Sequence, residues 1–188
     1  MGGRLKRLSS FQSVLLILSL DLLLTSCGYH LQYVRTLPDN VKKIAIPVFS
    51  NQTMQPDIEV QFTDALQTQF YRTRYAQVVP DRGDAEAILQ GTITEFRVSQ
   101  VARTPVPNVQ NISVAREYLV NIYVTAKLIR VSDKKVLWES QFWDSERYLA
   151  NPGGQPDNTR NEDRRRVAIQ AIAKSVGEDI HDALTWGF

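Results

Sequence analysis

Few side chains in this 188-residue sequence are arranged for chemistry, and the most telling is its only cysteine, Cys27. It follows Leu24-Thr25-Ser26 at the end of a largely apolar run from Phe11 whose one charged residue is Asp21, with Arg4, Lys6 and Arg7 in front. Basic start, apolar stretch, small residues and cysteine together predict a bacterial lipobox, in which residues 1–26 are an export signal and the Cys27 thiol is acylated. A lone cysteine has no disulfide partner within the chain, so the thiol is available for the lipid. Two or more acyl chains would hold the domain stably, since each buried methylene contributes roughly 0.8 kcal/mol. The residue after it, Gly28, is not the Asp that favours inner-membrane retention, so the outer membrane is expected.

Other chemistry is poorly supported. The two histidines are His30, close to the anchor, and His181, next to Asp182 near the end of the chain. Neither belongs to a His-x-x-x-His pair or a serine-nucleophile motif, so no metal and no cofactor is expected. Gly153-Gly154 fits a plain loop better than a phosphate cradle. Asp144 and Glu146 alternate on a strand, and Glu178 and Asp179 sit together on a helix, patterns that usually mean solvated carboxylates. The expectation is a non-enzymatic protein.

The basic residues are more suggestive. Arg103 borders a proline-containing loop, Arg116 opens a central strand, Arg160 is expected just ahead of the last helix, and Arg164-Arg165-Arg166 at its start. These fit either a solvated face or an anion-binding rim. Removing residues 1–26 takes three basic and one acidic residue from totals of 22 and 20, leaving 19 of each. A neutral domain has no long-range pull on polyphosphate, which argues against nucleic acid as a partner. Residues 27–188 suit a single periplasmic domain.

The elements that must position these groups follow from periodicity. Val41 to Phe49 reads as an apolar strand, confined by Pro47 to an edge or to a bulge near its end. Ile58, Phe62, Ala65, Leu66 and Phe70 line one side of a helix from about Asp57 to Arg72. A short Gln77–Val79 segment and a turn at Asp81–Asp84 lead into a strand from Ala85 to Val101. Residues 104–111, with Pro105 and Pro107, read as a loop. Tyr118, Val120, Ile122, Val124, Ala126 and Leu128 then share one face of a strand. The turn at Ser132–Lys135 leads to another, with Val136, Trp138 and Phe142 on one side. After a polar loop at 151–161, Ile169, Ile172, Ala173, Val176, Ile180, Ala183 and Leu184 form the core stripe of a closing helix.

The predicted fold is therefore α+β, with two helices packed on one face of a four-stranded mixed, mostly antiparallel sheet. The opposite face would carry Leu119, Tyr123, Leu137 and Trp143 among Glu117, Asn121, Lys127, Glu139 and Gln141. That mixture fits a protein-docking surface, with Tyr123 and Trp143 as anchors, or an ordinary outer face with scattered aromatics.

Cys27-Gly28-Tyr29-His30-Leu31, Leu37-Pro38, VKKIAIPVFSNQT, FTDALQTQF, DRGDAEAILQGTITEF and KKVLWES together resemble the LptE family of lipopolysaccharide-assembly lipoproteins, over nearly the whole mature chain. The resemblance implies two helices on a four-stranded sheet and no enzymatic activity. It also implies a plug in the lumen of the outer-membrane β-barrel LptD, with lipopolysaccharide delivered to the cell surface. By position, the family's basic lipopolysaccharide contacts would fall on Arg103 or Arg116 and on Arg160. A second resemblance, to periplasmic lipoproteins that activate peptidoglycan synthases or serve curli secretion, rests on the shared apolar strand followed by a helix. The long three-strand meander ending in Lys-Val-Leu-Trp-Glu favours the first.

Overall fold

The computed structural model describes residues 36–105, 113–150 and 158–186. Cys27, His30 and the centre of the proline loop lie outside them.

The apolar stretch expected to form one strand is divided by Pro47. Of it only β1, Lys43–Ala45, is a strand, and β2, Ser50–Asn51, forms just past its end; both are parallel to the same later strand. Proline has no N–H for the ladder, so pairing stops before it and resumes after it. β1 is not an edge strand, because β3, Gln77–Val78, pairs on its other side.

Between β2 and β3 runs helix α1, Ile58–Thr73, which buries Ile58, Phe62, Leu66 and Phe70 on the expected stripe. Asp57 stands just before the helix with a left-handed backbone (φ 63°) and gives it no side-chain cap, whereas a place in the first turn was expected. Arg74 closes it, also left-handed, with its N–H donating to the Phe70 carbonyl at 3.0 Å. The Thr63 hydroxyl accepts from the Phe49 N–H (3.0 Å) and Gln67 Nε2 donates to the Ile46 carbonyl (3.0 Å), so α1 satisfies the backbone that Pro47 takes out of the sheet.

Three long strands follow. β4 is Ala87–Pro105, β5 is Ser113–Arg130 and β6 is Val136–Leu149, antiparallel in sequence order. Thr104 and Pro105, expected in the loop, still pair with Val114 and Ser113. The turn before β4 is built by Asp81, whose carboxylate accepts from the Gly83 N–H at 2.8 Å. Val120, Ile122, Val124, Ala126 and Leu128 are all buried, as the alternation requires.

Among the described residues the sheet has six strands rather than four, in the order β3-β1-β4-β5-β6, with β2 also on β4. The two extra strands are two residues each, too short to show a period. The pairings of β1, β2 and β3 are parallel, but the long ones are antiparallel.

Helix α2, Asn158–Trp186, closes the inner face with α1 and buries Ile169, Ile172, Ala173, Val176, Ile180 and Leu184. At Gly177 a methyl would stand 3.3 Å from the α1 backbone at Ala65 and Leu66, so the helices approach where α2 has no side chain. One large core joins both helices to the inner sheet face, and Ala45, Val79, Ala85 and Ile88 form a small second cluster.

Candidate functional site

The outer face of the meander is set by the β5–β6 register, which places Lys127 opposite Glu139, Thr125 opposite Gln141, Tyr123 opposite Trp143 and Asn121 opposite Ser145. Tyr123 and Trp143 stack with centroids 6.2 Å apart and planes at 24°, and Trp143 remains 62% exposed. Ion pairs flank them on both sides, Lys127 Nζ with Glu139 Oε1 at 2.9 Å and Arg147 Nη1 with Glu117 Oε1 at 3.4 Å. Arg97 pairs with Glu95 on the neighbouring strand. Such exposed pairs add little to stability, about 0–1 kcal/mol each.

Leu137 does not belong to this face. A register shift between Leu128 and Ile129 turns the start of β6, so Leu137 packs against the main core beside Trp138 while Val136 is exposed. A bulge reverses the alternation locally, which the sequence pattern alone does not show.

The three arginines singled out from the sequence gather toward one end of the sheet. Arg103 is near the end of β4, exposed, with Nε donating to Gln100 Oε1 at 2.9 Å. Arg116 lies on β5, one position past the Glu117–Leu149 pair that ends the β5–β6 ladder. Arg160 is not ahead of the last helix but inside it, since Asn158–Trp186 is helical. The helix therefore starts earlier than its apolar stripe, and Arg164–Arg166 occupy its second and third turns, clear of the N-terminal end of the dipole. Arg165 and Arg166 pair with Glu162 and Asp163 one turn back.

The same end of the molecule holds a groove of about 400 Å³ that the sequence did not reveal. Leu149, Val167, Ala168 and Ala171 give it an apolar floor, and Arg147 and Arg164 line it with Glu146 and Asp163. Arg164 Nη1 donates to the Leu149 carbonyl at 3.1 Å, tying α2 to the end of β6. Leu149 and Val167 are 59% and 62% exposed. Their sequence signal was weak, since each lies off the core period of its element. Tyr148 stacks on Tyr118 at 5.3 Å, and burial pushes its hydroxyl pKa up while Arg165 opposes the rise.

His181 is buried, with Nε2 2.8 Å from Thr73 Oγ1, Nδ1 3.0 Å from Asp182 Oδ1, and its ring against Tyr75 and Phe70. It joins the last turns of α1 and α2. Asp144 points inward and is half-buried rather than solvated. Burial raises the Asp179 pKa, with Asp144, Asp182 and Glu178 adding to the rise. Among the described residues no three His, Cys, Asp or Glu side chains are grouped to hold a metal, and no helix is long and apolar enough to cross a membrane.

Among the described residues the fold is a two-layer α+β domain whose outer meander face carries no second layer. Its fold is similar to that of a protein of Xanthomonas campestris (TM-score 0.52, 12% identity, 81% of this chain and 90% of that one). It is also similar to PelC from Paraburkholderia phytofirmans (TM-score 0.50, 18% identity, 80% of this chain and 94% of that one). At these identities the likeness concerns the fold alone. No curated protein matches the sequence. The model of the family described as LptE, lipopolysaccharide-assembly, matches residues 41–184. The chain belongs to the LptE family of lipopolysaccharide-assembly proteins.

Proposed function

We propose that this protein is an outer-membrane lipoprotein, anchored through acylated Cys27, whose residue 27–188 domain plugs the lumen of the β-barrel LptD and helps it deliver lipopolysaccharide to the outer leaflet. The observation that carries the docking part is the open outer face, where the Tyr123–Trp143 stack sits among ion-paired and amide side chains. The lumen of a large barrel is polar, so a plug needs hydrated groups that match it and a few aromatic anchors to stay seated. Lipopolysaccharide carries anionic head groups and acyl chains. Arg103, Arg116 and Arg160 are its proposed contacts, at the end of the sheet where arginines also line an apolar groove.

Capture of LptD from detergent-solubilised outer membranes tests the reading. Wild-type protein should retain the barrel, and Tyr123→Ala/Trp143→Ala should fold normally but retain less, because anchors carry most of an interface's binding energy. Arg116→Glu or Arg160→Glu should leave the barrel complex intact and weaken lipopolysaccharide binding. Wild-type yield from the double variant would move the docking surface to the helices or to the loop after β4. Recovery of a peptidoglycan synthase in place of the barrel would overturn the reading altogether.

A further inference from the structure

The groove between the end of β6 and α2 is lined by apolar side chains that remain in contact with water. Leu149 and Val167 are 59% and 62% exposed although they line a concave site of about 400 Å³, and the small Ala168 and Ala171 keep its α2 side shallow. That volume lies near the lower end of the range for small-molecule sites, with room for one chain-like ligand. A peptide strand is a poor fit. An added strand needs free N–H and C=O groups on β6, and two are already engaged here. The Ser145 N–H donates to Asp144 Oδ1 at 2.7 Å, and the Leu149 carbonyl accepts from Arg164 Nη1 at 3.1 Å. A hydrocarbon chain has no polar groups to satisfy.

The charges at the mouth indicate what such a chain is attached to. Asp163 is held by Arg166 at 2.8 Å, and Arg147 reaches Glu117 at 3.4 Å. Among the described residues Arg164 has no carboxylate partner, and its bond to Leu149 uses only one of the five guanidinium N–H donors. The guanidinium is thus fixed in place with donors left for an anion. We propose that this groove takes one acyl chain of lipopolysaccharide, with Arg164 at its mouth donating to an anionic oxygen of the head group. The inference rests on the lipopolysaccharide reading above and adds to it the part of the lipid that is held and the place that holds it.

A membrane phospholipid offers the same hydrocarbon with a single phosphate. Arg164 has Arg147 beside it in the groove and the exposed Arg103 at the same end of the sheet, which suits a head group with several anionic groups. Glu146 is the rim acid without a basic partner among the described residues, so it opposes an anionic head group. The two halves of the site also differ in kind. Burial of the chain is not screened by salt, whereas exposed guanidinium contacts weaken as ionic strength rises.

The test measures binding of the full-length protein, in a non-ionic detergent, to three probes: intact lipopolysaccharide, lipopolysaccharide stripped of its acyl chains, and phosphatidylglycerol. Ala171→Phe, at an exposed position of α2, fills the groove. It should weaken binding of the intact lipid about tenfold, the loss expected from expelling about two methylenes, and leave the stripped form bound as by wild type. Retained binding of the stripped form also shows that the variant is folded. Arg164→Gln should weaken binding of both forms, and Glu146→Gln should strengthen both. If Ala171→Phe affects both forms equally, or neither, the groove proposal is overturned while the lipopolysaccharide reading stands. Phosphatidylglycerol bound as tightly as lipopolysaccharide would overturn the choice of lipid. Wild-type protein that binds neither form of lipopolysaccharide would overturn that reading and the groove proposal with it.

Discussion

The ring of Phe49 lies against the bare Cα of Gly91, so close that a methyl group built there would overlap the ring. Phe49 is 3% exposed and also touches Phe62 of α1 at 6.3 Å between centroids. The glycine therefore provides the space through which the β1–β2 segment packs onto β4. Gly91→Ala should destabilise the domain by about 1–3 kcal/mol, the usual cost of forcing extra volume into a packed core. A lowered denaturation midpoint with an unchanged slope is the expected result.

Ile122 is fully buried in the middle of β5, between the sheet and the helices. Ile122→Ala should cost about 2–5 kcal/mol through lost burial and the cavity left behind. Urea denaturation measures it, and an unchanged midpoint would contradict the inward face assigned to β5.

Glu86 holds the entrance of β1. Its carboxylate accepts from the Lys42 N–H at 2.7 Å and the Lys43 N–H at 3.4 Å, and the bond from Lys42 is the main reason its pKa is lowered from 4.5. A carboxyl whose folded value is depressed stabilises the fold above its unfolded value and loses that contribution as pH falls through the folded one. Glu86→Gln should therefore lower Tm at neutral pH, with the gap to wild type closing as the pH drops below 4.5. A gap that stays constant on acidification would count against the charged hydrogen bonds.

Asp179 has the opposite sign. Burial first, and then Asp144, Asp182 and Glu178, raise its pKa above 3.8. Ionising it costs the folded state more than the unfolded one, so stability falls as pH rises through the window above 3.8 and stays reduced at neutral pH. Asp179→Asn should raise Tm at neutral pH and have less effect as the pH falls toward 3.8. Melting curves across that range check both the direction and the window.

Cys27→Ser should leave the domain either released or tethered by an uncut signal, since the affinity for the membrane is assigned to the lipid. Acyl labelling of wild-type and variant protein measures this directly, and label retained by the variant would place the lipid elsewhere.

Much of this architecture is a property of the sequence alone. The offsets from Ile169 to Leu184 put one stripe of α2 in the core, and the alternation from Val120 to Leu128 assigns the inward face of β5, because both periods are local and buried positions must follow them. The Tyr123–Trp143 pair was placed on one face by the same alternation. Only the folded chain decided the rest. The two-residue strands β2 and β3 have no period to read, and they exist because β4 and β1 offer them partners. Leu137 turned inward because a bulge against β5 shifted the register, and Arg160 joined α2 because a helix can begin before its buried stripe does. The groove beside Leu149, Val167 and Arg164 forms where β6 meets α2, from residues far apart in sequence whose proximity no local pattern encodes.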